Sequence, residues 1–422
     1  MDLVYRTEIA DGVFFSYYSE SRFKLNRVDV IFWDTLDKST VSLNALVPTL
    51  LSRTNSEYKT KTSFNKKLSG LYSASLGDYA HKCGDNEYFG LYCVSLDDAF
   101  ALEDEKILEE STKMLKDCLF NPYLENGVFP ENDVNIQKQN LIDDNNNEFN
   151  DKALYTARKG FAATFMDEPA ALSVYGENSE IEKITPESAY SRYLEILEKK
   201  NVDIVCVGLG DFTVVKDIFA KAFSSVKRSP EPMPKNTPSK LKDKVYEASE
   251  EMDVSQSKLF ISFKYKSDKR FPLFVMSNLF GGDTSSKLFT VVREKLSLCY
   301  YCYSGGGFGK RVLNVESGVE TKNIEKAKAA IFEQLEEIKK GNFTDEDIQK
   351  TKLSLTNSLR SVNDRIGSIS SWHLNCISNN WHKTPEEEIE YDNAVTREEI
   401  VEAANALELD TIFVLKSKEA DE

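Results

Sequence analysis

Short segments in which apolar and polar residues alternate recur along both halves of the chain. The clearest are VDVIFW at 28–33, NEYFGLYCVSL at 86–96 and SKLFISFKY at 257–265. This period of two predicts β-strands with at least one buried face. A further strand, YSASLGDYAH at 72–81, connects to 86–96 through a few polar residues, which is typical of antiparallel neighbours. The pattern therefore predicts sheets that are mainly antiparallel.

Other segments carry apolar residues at helical spacing and begin at recognisable capping residues. Asn323 is expected to cap a helix that ends at Gly341, with one apolar face made of Ile324, Ala327, Ile331, Leu335 and Ile338. Thr344 is expected to cap the next helix, whose first turn carries three acidic residues where the helix dipole favours them. Such one-sided helices predict a layer that covers the sheets.

The same pair of elements closes each half of the chain. A helix predicted from Thr185 is followed by the strand VDIVCVG at 202–208, and a helix predicted from Thr396 by the strand DTIFVL at 410–415. The two helix starts lie 211 residues apart, and Glu399 is placed to complete a capping box with Thr396. We interpret this repetition as the duplication of one α+β unit of about 200 residues.

A proline-rich segment separates the two repeats. The segment VKRSPEPMPKNTPSK at 226–240 has four prolines in fifteen positions, which excludes a helix or a central strand there. We therefore predict an α+β fold of two homologous domains, each a mainly antiparallel sheet covered by helices. The expected boundaries are 1–225 for the N-terminal domain, 226–241 for the linker and 242–422 for the C-terminal domain.

Composition and charge narrow the classes of partner. With 41% apolar and 29% charged residues, the 422-residue chain has the composition of an ordinary globular protein. A formal charge of −16 argues against a nucleic-acid partner, because phosphate binding needs clustered Lys and Arg. The apolar runs are too short to cross a membrane and the first residues do not resemble a secretion signal. We therefore expect no membrane partner and a cytoplasmic location.

Seven scattered cysteines are expected to be free thiols in a reducing compartment. Two of them, Cys299 and Cys302, stand at the ends of the sequence CYYC. On a regular strand, residues three apart point to opposite faces, so we expect no contact between these two thiols.

The histidine content speaks against a zinc site in this chain. There are three histidines, His81, His373 and His382, and neither H-x-x-E-H nor H-E-x-x-H occurs. We interpret all three as structural or surface residues and predict no metal ligand. The nucleophile motif G-x-S-x-G is also absent, and the glycines at 303–310 suit a hairpin turn better than a phosphate loop.

A helix predicted at 285–296 places Arg293 in its last turn, directly before a tyrosine-rich strand. Its buried stripe is expected to be Leu288, Phe289, Val292 and Leu296. The residues alone leave two interpretations open. Either Arg293 caps the helix and the tyrosines pack in a core, or Arg293 and a tyrosine donate hydrogen bonds to a peptide carbonyl oxygen.

Three segments of the C-terminal half carry a family resemblance: VSQSKLFISF, SNLFGGDTSSKLFTVVREKLSLCYYCYS and GVETKNIEKAKAAIFEQLEEIKKGNFTDEDIQKTK. They cover most of residues 254–352, and in order and spacing they resemble the pitrilysin/insulinase family of zinc metallopeptidases. The resemblance places the family's substrate-binding arginine and tyrosine on Arg293 and Tyr300. Tyr301 is the alternative if the register differs by one residue.

In the first half, the resemblance places the family's zinc motif, H-x-x-E-H, on the segment SLNALVPTLLSRT. The corresponding residues here are Ala45, Pro48 and Thr49, none of which can bind zinc, and Pro48 is expected to disturb the helix. The segments LNALVPTLL, EYKT and KLSGLYSASL further resemble a non-catalytic branch of the family, whose chains accompany an active paralogue.

The resemblance therefore implies the metal-free subunit of a heterodimeric zinc peptidase, with two domains that form half of a clam-shell. No cofactor is expected in this chain. Zinc is expected in the partner, an active paralogue that carries H-x-x-E-H. Arg293 and Tyr300 would hold an extended peptide substrate, to which edge strands add main-chain hydrogen bonds. The alternative is a stand-alone peptide-binding or scaffold protein that has lost peptidase activity, and an independent hydrolase with an unrecognised site is the least favoured hypothesis.

Overall fold

The computed structural model describes residues 2–418 of the chain. Its β-strands are β1 Asp2–Ala10, β2 Val13–Ser19, β3 Leu25–Thr35, β4 Ser75–Cys83, β5 Asn86–Leu96, β6 Asn201–Gly208, β7 Tyr246–Met252, β8 Ser257–Tyr265, β9 Cys299–Gly307, β10 Val312–Val319 and β11 Leu407–Ser417.

Helices make up most of the remaining ordered structure. The α-helices are α1 Val41–Leu51, α2 Lys61–Gly70, α3 Ile107–Phe120, α4 Glu131–Asn150, α5 Lys152–Phe165, α6 Asn178–Ile181, α7 Pro186–Lys199, α8 Thr213–Ser224, α9 Arg270–Gly281, α10 Ile324–Lys339, α11 Asp345–Ser361, α12 Ile366–Ser378, α13 Pro385–Ala394 and α14 Arg397–Asn405. Residues Leu288–Lys295 form a π-helix. Within the described part of the chain, no helix combines the length and the apolar character needed to cross a membrane.

The chain divides into two compact units. Unit 1 comprises Met1–Asn145, Leu172–Lys235 and Asn363–Asn380, and unit 2 comprises Asn146–Ala171, Asn236–Val362 and Trp381–Glu422. The central change of unit falls between Lys235 and Asn236, inside the proline-rich segment. Each half of the chain also contributes one helix to the other unit. Helix α5 precedes the proline-rich segment but belongs to unit 2, and α12 follows the segment but belongs to unit 1.

The sheet of unit 1 has the strand order β1-β2-β6-β3-β5-β4. Only β2 and β6 run parallel, and the other neighbours are antiparallel. One face of the sheet packs with α1, α3, α7 and α8 in a large apolar core. The opposite face is covered by α12, whose Leu374 and Ile377 pack with Ile31, Trp33 and Val205.

The sheet of unit 2 has the order β7-β11-β8-β10-β9, in which only β7 and β11 run parallel. One face packs with α9, α10 and α14. Helix α5 covers the other face, where the rings of Phe161 and Phe260 meet edge to face with centroids 5.1 Å apart. The order of unit 2 repeats β2-β6-β3-β5-β4 of unit 1, including the position of the parallel pair. This agreement confirms the predicted α+β fold, with mainly antiparallel sheets covered by helices.

Several local predictions are confirmed at residue level. Thr185 and Thr396 both form capping boxes at the starts of α7 and α14, and β5 and β8 have the predicted bounds. The glycine-rich segment 303–310 belongs to a hairpin, in which residues 303–307 are the end of β9 and residues 308–311 form the connection to β10. Asn323 precedes α10 as predicted but makes no side-chain capping bond.

Candidate functional site

The helix that carries Arg293 is a π-helix. Its last turn is closed by a hydrogen bond from the amide of Leu296 to the carbonyl oxygen of Val291, 2.9 Å away, five residues earlier in the chain. Leu288 and Val292 are fully buried, Phe289 is half-buried and Leu296 is 43% exposed. The prediction of a four-residue buried stripe was therefore correct for Leu288 and Val292 and wrong for Leu296. The wider turn moves the last residues around the axis, away from the core. Such π-turns frequently lie at functional sites.

Arg293 is held in place by three contacts. Its Nε donates a hydrogen bond to the carbonyl oxygen of Tyr300 at 3.0 Å. Its guanidinium forms an ion pair with Glu294 and lies over the ring of Phe289, 4.6 Å from the centroid. The side chain remains 38% exposed. The guanidinium is therefore oriented by the protein and still open to a ligand.

Tyr300 occupies a β-bulge on β9, the edge strand of the sheet. In the pairing with β10, Cys299 lies opposite Val319 and Tyr301 lies opposite Gly318, so Tyr300 is the extra residue. A bulge frees one residue from the ladder and re-aims its neighbours. The side chain of Tyr300 is 53% exposed, and its carbonyl oxygen is the acceptor for Arg293.

Arg293 and Tyr300 line one open cleft of about 370 Å³ in unit 2. The rest of its lining comes from Glu294, Ser297, Leu298, Cys299, Glu320 and Asn323. A guanidinium and a phenol are hydrogen-bond donors for a carbonyl oxygen, and the two glutamates add negative charge beside them. The arrangement can bind a peptide carbonyl group next to a basic side chain.

Tyr301 lies on the other face of β9. Its ring stacks with that of Tyr303, with centroids 5.7 Å apart, and the ammonium of Lys258 lies 5.3 Å from its centroid. Burial raises the pKa of its phenol, and the nearby carboxylate of Glu316 adds to the rise. The structure thus brings Arg293 together with Tyr300 and not with Tyr301.

Cys299 is a cleft residue to which the sequence analysis assigned no functional role. In the pairing with β10, Cys299 lies opposite Val319 and Cys302 lies opposite Ser317, two residues apart on the same face, so the bulge places the two cysteines on one face of β9; this corrects the expectation that their side chains point to opposite faces. The hydrogen bond from Cys302 is the main cause that lowers the pKa of Cys299 to about 7, and Arg293 contributes through its charge. The only available signal was the sequence CYYC, and it becomes informative only once the bulge is known.

The positions that the family resemblance assigns to the zinc motif fall on α1 in unit 1. Ala45 and Pro48 are buried and Thr49 is half-buried, with its hydroxyl donating to the carbonyl oxygen of Leu46 at 2.7 Å. The expectation that Pro48 disturbs the helix was wrong, because α1 continues to Leu51. Proline removes only one main-chain donor, and the packing of this buried helix outweighs that loss.

A buried polar network lies beside these positions. Asn44 donates to Glu87 at 2.7 Å and accepts from Arg192 at 2.8 Å. Arg192 also pairs with Asp34, as does Lys200. Burial raises the pKa of Glu87 to about 8. Sequence analysis missed this network because its members are far apart along the chain.

The three histidines occupy different surroundings. His373 is 5% exposed, and its Nδ1 lies 2.9 Å from the hydroxyl of Tyr18. His81 lies among the rings of Tyr79 and Tyr88, and burial lowers its pKa. His382 is exposed. Between residues 2 and 418, no group of three or more His, Cys, Asp and Glu side chains is placed to hold a metal ion.

Comparisons with known proteins point to one family. The model of the peptidase M16 inactive domain matches residues 183–355. The chain is 30% identical over 402 residues to the probable inactive metalloprotease YmfF of Bacillus subtilis (strain 168), which covers 94% of each chain. It is 27% identical over 154 residues to the uncharacterized zinc protease YmxG of the same strain, covering 35% of this chain and 38% of YmxG. A crystal structure of a conserved protein from Enterococcus faecalis V583 matches with a TM-score of 0.90 and 26% identity, covering 99% of both chains.

The chain therefore belongs to the peptidase M16 family, which confirms the resemblance to the pitrilysin/insulinase metallopeptidases. Within that family, its similarity extends over nearly the full length of YmfF, a probable inactive metalloprotease, and residues 183–355 match the inactive-domain model.

Proposed function

We propose that this chain is the substrate-binding subunit of a heterodimeric zinc metallopeptidase that acts on peptides or small proteins in the cytoplasm. Arg293 and Tyr300 bind the peptide, and an active paralogue contributes H-x-x-E-H and the zinc ion. The proposal rests on one observation: Arg293 and Tyr300 line a single open cleft. The residues Ala45, Pro48 and Thr49 do not fit a zinc ion, so no step at zinc is assigned to this chain.

The contacts of Arg293 suit the anchoring of a peptide. A guanidinium has five N–H donors, and the bonds to Tyr300 and Glu294 use only part of that capacity. A peptide carbonyl oxygen bound there meets a fixed positive charge, and such a donor stabilises negative charge on that oxygen if it is the one attacked.

The strand beside the cleft can extend this contact along the peptide. β9 is the edge strand of its sheet, with β10 as its neighbour. An extended peptide can pair with the outer side of such a strand through main-chain hydrogen bonds. Glu294 and Glu320 in the cleft favour peptides with basic side chains near the anchored carbonyl.

The relatives support the proposal that one chain binds the substrate and another carries the zinc ion. One Bacillus subtilis strain encodes both YmfF, named as a probable inactive metalloprotease, and YmxG, named as a zinc protease, and both are similar to this chain. An inactive and a zinc-dependent relative in one organism are the two kinds of chain that the proposal requires.

The test compares three samples on a library of quenched fluorescent peptides: this chain, an H-x-x-E-H paralogue from the same genome, and the mixture. Hydrolysis is expected in the mixture and not with this chain alone, and Arg293→Ala is expected to reduce it. Lys295→Ala is the matched control, because Lys295 is an exposed cation on the same π-helix that does not line the cleft. A mixture no more active than the paralogue alone contradicts the proposal.

A stand-alone peptide-binding or scaffold protein is the second candidate, since the same cleft can bind a peptide without any partner. Calorimetric titration with the library peptides separates the two candidates. Binding to this chain without hydrolysis in any mixture favours the scaffold.

A further inference from the structure

The bulge at Tyr300 changes which side chains share a face of β9. Cys302 is 4% exposed and belongs to the apolar core of unit 2, and Cys299 packs against that same core. In the pairing with β10, Cys302 lies opposite Ser317 and Cys299 lies opposite Val319, which are neighbours on one face of β10. On a regular strand the two cysteines would lie on opposite faces, so the extra residue of the bulge is what brings them together.

The two thiols are unequal. Cys299 is half-buried and lines the cleft with Arg293, whereas Cys302 is buried behind it. The hydrogen bond between them and the charge of Arg293 lower the pKa of Cys299, while the same hydrogen bond and burial raise the pKa of Cys302. A thiolate next to a cation in an accessible cleft is the nucleophilic form of cysteine.

We propose that Cys299 and Cys302 form a redox-sensitive dithiol that a hydroperoxide converts into a disulfide, with Cys299 as the attacking thiolate and Cys302 as the resolving thiol.

The reaction has two balanced steps. The sulfur of Cys299 attacks an oxygen of hydrogen peroxide, the O–O bond breaks, and the products are a sulfenic acid and hydroxide. The thiol of Cys302 then attacks the sulfur of that sulfenic acid, the S–S bond forms, and water leaves with the proton of Cys302. Two thiol sulfurs are oxidised by two electrons in total, and the peroxide is reduced.

The other cysteines of the described chain lack this combination. Cys93, Cys118 and Cys206 are buried, and burial raises the pKa of each thiol. Cys376 is also buried. Cys83 is half-buried, and its sulfur lies 3.9 Å from the amide groups of Asn375 and Asn379. Cys83 is therefore the matched control for access, because it is half-buried like Cys299.

A disulfide would act on the cleft itself. It holds its two Cα atoms roughly 4.4–6.8 Å apart, which would fix the path of Tyr300 and Tyr301 between them and shift the carbonyl oxygen of Tyr300 that accepts from Arg293. We therefore expect oxidation to weaken peptide anchoring. This consequence rests on the proposed function, but the formation of the disulfide does not.

The chemical test treats the reduced full-length chain with limiting hydrogen peroxide, blocks the remaining thiols by alkylation and maps the products by peptide mass spectrometry. The expected first product is a peptide cross-linked through Cys299 and Cys302, formed before Cys83 reacts. In Cys302→Ser, Cys299 is expected to accumulate as sulfenic acid that dimedone traps. In Cys299→Ser, Cys302 is expected to stay reduced, and Cys83→Ser is expected to behave as the wild type.

Two results overturn the proposal: Cys299 reacts no faster than Cys83, or Cys299 is oxidised without joining Cys302 in the wild-type chain. Circular dichroism of each serine variant checks that it folds, and Arg293→Gln gives a second measure because removal of the cation is expected to slow the first step. Hydrolysis by the mixture with and without peroxide forms a separate arm. If the disulfide forms and hydrolysis is unchanged, the redox-sensitive dithiol is supported and its expected effect on peptide anchoring is contradicted. If no mixture hydrolyses peptide, the proposed function is contradicted, whereas the evidence for the dithiol is unaffected because mass spectrometry measures it separately.

Discussion

The Nε of Arg293 donates a hydrogen bond to the main-chain carbonyl oxygen of Tyr300, 3.0 Å away. Each of the two residues sits in a local irregularity, Arg293 on a π-helix and Tyr300 at a β-bulge. Both irregularities lie next to each other along the chain and open onto one cleft. The geometry of the cleft therefore depends on two deviations from regular structure.

Replacing Arg293 by lysine should reduce hydrolysis by the mixed subunits. Lysine keeps the charge but loses the planar set of donors that binds Tyr300 and a ligand together. We expect a fall in kcat/KM that corresponds to about 1–3 kcal/mol of transition-state stabilisation, less than the roughly 2.7–4 kcal/mol for removal of a whole oxyanion donor, because lysine keeps the charge. Lys295→Ala should leave the rate unchanged, and an Arg293→Lys rate equal to that control would remove the assigned role.

Tyr300 and Tyr301 should differ in the same assay. The phenol of Tyr300 borders the cleft, whereas Tyr301 packs against Tyr303 on the other face of β9. Tyr300→Phe is therefore expected to lower kcat/KM, and Tyr301→Phe is expected to leave it near the wild-type value. The reverse order would assign the binding role to Tyr301 and contradict the placement of the cleft.

Glu87 should make the stability of the protein depend on pH. Burial raises its folded pKa from 4.5 to about 8, so between those values the folded state holds a proton that the unfolded state has released. Stability is therefore lost as the pH rises from 4.5 towards 8, by up to about 5 kcal/mol. Glu87→Gln cannot titrate, and its unfolding free energy relative to wild type should rise over this range.

Urea denaturation at about pH 5 and about pH 8 measures this difference. Glu57→Gln is the control, because Glu57 is exposed. If the difference in unfolding free energy between wild type and Glu87→Gln is the same at both pH values, Glu87 is ionised in the folded state throughout this range.

Gly160 should resist replacement even by alanine. It lies inside α5, where a Cβ atom would fall 2.2 Å from the ring of Phe260. Alanine is the better helix former, yet the overlap is expected to destabilise the protein by about 1–3 kcal/mol. Gly70→Ala is the matched control, since it ends α2 with no atom within 4 Å of the new Cβ, and thermal denaturation compares the two. Equal effects would show that α5 does not pack closely on β8.

Features that depend on residues close together in sequence could be predicted, and features that depend on residues distant in sequence could not. Thr185 and Thr396 could be placed correctly because a capping box involves residues three apart in the chain. Leu296 could not, because the change from an α-helical to a π-helical turn depends on how the segment packs against β9. The exchange of α5 and α12 between units had no local signal, since each helix meets its sheet through residues distant in sequence, such as Phe161 with Phe260 and Ser370 with Asp29.

The sequence by itself determined the repeated α+β units, the absence of H-x-x-E-H and the proximity of Arg293 to the tyrosines, because periodicity, residue type and short spacing carry that information. Only the tertiary structure decided that Tyr300 and not Tyr301 joins Arg293, and that Cys299 meets Cys302. The physical reason is that the pairing register of β9 with β10 admits one extra residue, and that residue reverses the direction of the side chains on one side of it.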